Sequence, residues 1–200
     1  MIPQKLPPNF FKYDGWIQEI CGRHSIPWKL AKAQVWQESE FEPTAVSRCG
    51  AAGLLQLMPE TDFQIDGDLD GTKDPKGNLE DGIHYDKWLY DRFPEIPNEE
   101  DRLKFALASF NGGRGYINKA IEIAYDCEFA KPIPPGHKGK PGRWQTWCHA
   151  SAYLCSPYCT VTDKKGKVLK PDYRQILDYI DLIWEKYQYI QVKTLKVVGS

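Results

Sequence analysis

The stretch from Gln34 to Thr61, QVWQESEFEPTAVSRCGAAGLLQLMPET, closes one helix and opens a tight, glycine-punctuated loop. Upstream, Ser25 is placed to cap and Pro27 to occupy a first helical position. WKLAKAQVWQES then runs in good helix formers, and Pro43 bars the helix from running far past Phe41. Ala31, Val35 and Glu38 fall at i, i+4 and i+7, so one apolar face ends in an ionisable group. That group lies in the last turn, at the negative end of the helix dipole, beside Glu40 and Glu42. The dipole, partial burial and the two neighbouring carboxylates all favour its protonated form, as suits a proton donor near neutral pH. Position alone is better met by a glutamate that caps or pairs within its helix.

The loop decides between these readings. Gly50 and Gly53 permit close backbone approach, and Leu54, Leu55 and Leu57 anchor a short buried helix that Pro59 ends. Gln56 and Met58, two residues apart, make sense together if both line a cleft.

The run Glu38-Ser39-x-Phe41-x-Pro43-x-Ala45-x-Ser47, followed by Gly50-Ala51-x-Gly53-Leu54-x-Gln56-x-Met58-Pro59-x-Thr61, resembles the lytic transglycosylase (SLT) domain of the goose-type lysozyme-like group. The resemblance continues at Asp74-Pro75, Asn78-Leu79, Gly82 and Tyr85, and at Ala108-Ser109-Phe110-Asn111-Gly112-Gly113. It implies a mainly α, lysozyme-like helical fold. It also implies cleavage of the glycan bond between N-acetylmuramic acid and N-acetylglucosamine in peptidoglycan, with a 1,6-anhydro product. By the same resemblance Glu38 is the catalytic acid/base, and Ser47, Gln56, Met58, Phe110, Asn111 and Asp172 are substrate-binding positions. Phe110 and Ile176 stand where the family has Tyr, and Asp172 stands where it has Glu.

Two hundred residues, 42% hydrophobic and 13% aromatic, fit a single domain with an adequate core. A formal charge of −1 gives no general attraction to nucleic acid or anionic membrane. No apolar run approaches a membrane span, and MIPQKLPPNFFKYDG has no signal-peptide core. The expectation is a monomer acting on peptidoglycan strands in the cell wall or periplasm. Phage lysis or virion delivery, a secretion system, or removal of a signal would each explain how it gets there. The six cysteines at 21, 49, 127, 148, 155 and 159 fit disulfides in an exported protein and free thiols in a cytosolic one, and the sequence does not decide. Cys148, His149, Cys155 and Cys159 match no strong zinc spacing.

Along the chain, a Pro-rich arm precedes a helix from Asp14 to about Arg23 that would bury Trp16, Ile17 and Ile20. Further helices are expected over about 79–93 with Ile83, Trp88 and Leu89 inward, 99–111, 115–124 and 172–187. The tail from Ile190 to Val198 is left as strand or disorder. In IDGDLDGTKDPKGN, Asp66, Asp68, Asp70, Thr72 and Asp74 occupy oxygen-ligand positions of a calcium loop, with Gly71 at its turn. Gly77 replaces the bidentate Glu at the end of that pattern, so any calcium site would be weak or completed by Glu80 or Asp81. No cofactor is otherwise required. Residues 126–170 read as a Cys-containing, solvated basic insertion: Lys131–Lys170 holds eight Lys or Arg against Asp163 alone, and a hairpin turns at Lys165-Gly166.

Three functions remain open on the sequence. One is a lytic transglycosylase. Another is a lysozyme that hydrolyses the same bond, with Asp62, Asp66 or Asp68 holding a water. The third is a wall-binding module without catalysis.

Overall fold

A computed structural model describes residues 5–61, 74–129 and 142–198. The chain is mainly α. Its principal helices are α1 (Asp14–His24), α2 (Trp28–Ser39), α3 (Pro75–Tyr90), α4 (Glu99–Gly112), α5 (Arg114–Phe129), the single turn α6 (Trp147–Ala150) and α7 (Tyr173–Val198). A two-residue hairpin, β1 (Val161–Thr162) with β2 (Val168–Leu169), is antiparallel. The chain divides into two compact units, 1–87 with 181–200, and 88–180.

In the first unit, Pro27 precedes α2, and its carbonyl accepts from Leu30 N and Ala31 N at 2.8 and 3.2 Å. The helix stops at Ser39 because Glu40 turns left-handed, with φ 51°. Ala31 and Val35 are buried, as their spacing predicts, and Glu38 is half-buried. Helix α3 then grips the loop that follows α2. Asn78, 1% exposed, accepts from Leu55 N at 2.7 Å and donates to Ala52 O at 3.1 Å. One turn on, Gly82 admits Leu55: a Cβ at Gly82 would lie 2.3 Å from Leu55 Cδ1. The expected short helix after Gly53 does not form. The loop instead makes two isolated antiparallel bridges, Val46 to Ala52 and Ala52 to Leu57. Its backbone groups are satisfied by those bridges and by the Asn78 side chain, so no helical ladder is needed.

In the second unit, Asn98 caps α4 by accepting from Asp101 N at 2.9 Å, and Glu99, Glu100 and Asp101 lie at the positive end of the dipole. Gly113, with φ 89°, ends that helix. Leu103, Ala106 and Leu107 are buried. Gly112 leaves room for Ile176 at the start of α7: a Cβ there would lie 2.3 Å from Ile176 Cδ1.

The solvated reading of the insertion is corrected for residues 142–159 and holds for 160–170, where no residue is buried. Trp144 is 0% exposed and stacks edge-on against Tyr125, and Trp147 does the same against Phe105. Their backbone N–H groups are received by side chains of the main helices, Trp144 N by Glu128 and Trp147 N by Asp101. The lysines and glycines dominated the composition, but the two tryptophans supply the apolar area that draws the segment into the core. The hairpin forms as expected, its turn held by Asp163 Oδ1 accepting from Lys165 N and Lys167 N.

Two further expectations are overturned. Trp16 and Trp88 are each 39% exposed rather than inward. The guanidinium of Arg92 lies 4.4 Å from the Trp88 ring, a use for an aromatic face outside the core. The six cysteines, whose state the sequence leaves open, carry free thiols. Cys21 is a buried packing residue whose thiol is pushed up to about 12 by burial and, secondarily, by Asp86. The tail from Ile190 is neither strand nor disordered, but the continuation of α7. Among the described residues no helix is long and apolar enough to cross a membrane.

Candidate active site

The site in the first unit is built on the end of α2. Ser39 Oγ donates to Leu54 O at 2.9 Å, with Val35 O at 3.2 Å, which fastens the last helical turn to the loop. The chain then turns through two consecutive non-glycine residues at positive φ, Glu40 at 51° and Phe41 at 64°. A bulky residue there is uncommon and persists only where its surroundings hold it. Phe41 is fully buried, and its carbonyl accepts from Asn9 Nδ2 at 3.2 Å. Glu42 accepts from both Thr44 N and Thr44 Oγ1, at 3.1 and 2.6 Å, which holds its carboxyl below the usual range.

Gln56 sits at φ 47°. Its amide donates to Ala45 O and Gly53 O, both at 2.9 Å, so one side chain ties both limbs of the loop. Ser47 Oγ accepts from Ala51 N at 3.0 Å and shapes the loop tip, and Met58 is 36% exposed. A cavity of about 510 Å³ lies over this frame. Glu38, Glu40, Glu42 and Gln56 contribute polar groups to it, and Ala45 and Val46 an apolar side. Pro8 and Asn9 complete the lining from the N-terminal arm. The structure therefore brings Glu38 and Gln56 to one cavity.

Behind Glu38 lies a carboxyl that the sequence reading passed over. Asp86 on α3 is 5% exposed and accepts from Gln34 Nε2 at 3.3 Å. Gln34 itself lies one turn before Glu38 on α2. Burial pushes the Asp86 carboxyl well above the usual carboxylate range, the Gln34 hydrogen bond opposes this, and the charge of Glu38 adds to the rise. The signal was legible: Leu79, Ile83 and Asp86 repeat the i, i+4, i+7 pattern that singled out Glu38. Lys186 on α7 is a second omission. Its ammonium donates to Gln37 Oε1 and lies within electrostatic reach of Glu40, Glu185 and Glu38, while burial lowers its pKa.

The other predicted positions belong to the second unit. Phe110 and Asn111 close α4; Phe110 is half-buried, and Asn111 Oδ1 is buried without a hydrogen-bond partner among the described residues. Such an orphaned acceptor invites an explanation such as a bound group. Asp172 is exposed and accepts from Gln175 N at 3.1 Å, capping α7. Of the calcium loop, Asp66, Asp68, Asp70 and Thr72 lie outside the described residues. Asp74 is exposed and accepts from Gly77 N at 2.7 Å. Among the described residues no group of acidic, His or Cys side chains gathers as a metal site, and that includes Cys148, His149, Cys155 and Cys159.

Comparison with known proteins agrees with this frame. The transglycosylase SLT domain model matches residues 15–133, more than half of the chain, and the chain belongs to that family. It is 33% identical over 130 residues to a membrane-bound lytic murein transglycosylase F of Desulfosudis oleivorans, covering 65% of this chain and 26% of that protein. It is 38% identical over 97 residues to the protein of the same name from Maricaulis maris, covering 48% of this chain and 21% of that one. The chain thus spans about a quarter of the length of these relatives. An X-ray structure of an inactive mutant of the lytic transglycosylase Slt from Pseudomonas aeruginosa has a similar fold, with a TM-score of 0.52. That match is at 17% identity and covers 91% of this chain and 25% of that one.

Proposed function

We propose that this chain is a catalytic domain that cleaves the glycan strand of bacterial peptidoglycan as a lytic transglycosylase. The observation that carries the proposal is Glu38. It ends a buried helix, faces a cavity with Gln56, and lies in a chain of the SLT family. In this reading Glu38 donates its proton to the oxygen joining N-acetylmuramic acid to N-acetylglucosamine, and the bond from that oxygen to C1 of the muramoyl sugar breaks. The sugar's own acetamido group supports the positive charge at C1. Glu38, now a carboxylate, takes the proton from the 6-hydroxyl as O6 bonds to C1. The product is a 1,6-anhydro sugar, no water is consumed, and Glu38 ends protonated as it began.

Asp86 is set for a different task from the second carboxylate of a hydrolase. It is buried and hydrogen-bonded to Gln34, not exposed to a sugar or its water. Ser47, Gln56, Met58, Phe110, Asn111 and Asp172 are proposed as substrate contacts, and the orphaned Asn111 Oδ1 supports its inclusion. Calcium at Asp66–Asp74 is a separate proposal, tested by thermal melting with and without a chelator.

The deciding experiment is digestion of purified peptidoglycan by the protein and by Glu38→Gln, with mass spectrometry of the fragments. Fragments ending in 1,6-anhydro-muramic acid, lost in the variant, are expected. Fragments one water heavier would make the protein a lysozyme. Binding without cleavage would leave a wall-binding module.

A further inference from the structure

Residues 7–13 are held against α2 by more anchors than a surface tail needs. Phe10 is 5% exposed and stacks edge-on against both Trp36 and Phe41, at centroid distances of 5.1 and 5.4 Å. Lys32, a buried cation on α2, places its ammonium 3.9 Å from the Phe10 ring centroid and 4.7 Å from that of Phe11. The same ammonium pairs with Asp14 Oδ1 at 2.6 Å. Asn9 lies at the end of this clamp, donating to the carbonyl of Phe41, two residues beyond the helix that carries Glu38. Pro8 and Asn9 then border the Glu38 cavity.

The hydrogen-bonding inventory of that cavity is one-sided. The carboxylates of Glu40 and Glu42 only accept. The Ser39 hydroxyl donates to backbone carbonyls, and Gln56 Nε2 is engaged by Ala45 O and Gly53 O. Asn9 donates one Nδ2 hydrogen to Phe41 O, and a primary amide carries a second hydrogen as well as an acceptor oxygen. An acetamido group presents the complementary pair, a carbonyl and an N–H.

We propose that Pro8 and Asn9 form a glycan-binding wall of the Glu38 cleft, in which the Asn9 amide recognises the acetamido group of an N-acetylated amino sugar. The proposal rests on the glycan reading above and adds a binding residue from outside the matched SLT segment. The Lys32 clamp makes the wall a fixed part of the cleft. Asn9 thereby joins recognition of the sugar to support of the left-handed turn at Phe41.

The test uses the full chain carrying Glu38→Gln, so that ligand is bound and not cut. Its affinity is measured by calorimetry for a tetramer of N-acetylglucosamine and for the same tetramer de-N-acetylated. Adding Asn9→Ala should weaken binding of the acetylated tetramer about tenfold, the loss of one good hydrogen bond. Binding of the de-N-acetylated tetramer should change less than twofold. Because Asn9 also supports the Phe41 carbonyl, the melting temperature of the Asn9→Ala chain is measured alongside; an unchanged value with the selective loss supports recognition, and weakening that is equal for both ligands marks a folding defect. Equal weakening for both ligands, or none for either, would overturn the proposal and leave the arm as packing. Failure of the unmodified chain to release fragments from peptidoglycan would count against the catalytic reading alone.

Discussion

Replacing Asp86 with Asn tests the electrostatics behind Glu38 most directly. In the folded chain the Asp86 carboxyl titrates well above its usual range, because burial opposes its charge and Glu38 adds to that opposition. In the unfolded chain it titrates near 3.8. Between the two values the folded state binds the extra proton, so stability is greatest below the unfolded pKa. It falls as pH rises towards the folded one. Each unit of separation removes about 1.4 kcal/mol by the time the upper pKa is passed. Asn keeps the carbonyl that accepts from Gln34 Nε2 and does not titrate. Its second amide hydrogen can add a pH-independent penalty of about 1–3 kcal/mol if it finds no acceptor. Urea denaturation at pH 4, 6 and 8 separates the two contributions, since only the titration term changes with pH. The variant should gain on the unmodified protein as pH rises. The gain divided by 1.4 kcal/mol is a lower bound on how far the pKa is raised. Parallel pH dependence in the two proteins would refute the buried-acid argument.

Glu38→Gln should lower the digestion rate by about 10² to 10⁴, the usual contribution of a general acid or base, with little change in melting temperature. Asn78→Ala removes the acceptor for Leu55 N and the donor to Ala52 O. It should cost about 2–4 kcal/mol in denaturant titration, the range for two buried bonds, one of which leaves a bare N–H. Because those bonds also hold the Gln56 loop, its digestion rate should fall even under conditions where it is fully folded. Gly82→Ala gains about 1 kcal/mol of helix propensity but drives a methyl into Leu55, an overpacking cost of about 1–3 kcal/mol. A net loss of up to about 2 kcal/mol in the same titration is expected, and a more stable variant would contradict the close approach of α3 to the loop.

Helix positions were read well where the signal is local. Helix α4 shows this: the expected span of 99–111 matches Glu99–Gly112, and the cap, first-turn acids and closing glycine that the structure shows there all act through nearby backbone. Periodicity likewise marked the face that carries Glu38. It misplaced Trp16 and Trp88, because the spacing of a tryptophan does not say whether another element covers it. The basic composition of residues 131–170 concealed Trp144 and Trp147, whose partners Glu128 and Asp101 lie on distant helices. The cysteine count left bridges and free thiols open, since evenness in number places no two sulfurs together.

By itself the sequence determined the helical class, the family and the acid at the end of α2, because backbone preferences and a motif of fixed spacing act over short stretches of chain. Only the tertiary structure decided what surrounds that acid. Asp86 meets Gln34 across 52 positions, and Asn9 meets Phe41 across 32. Both contacts arise when separate elements bury their apolar faces on one another, and that packing then fixes which polar groups are carried inside with them.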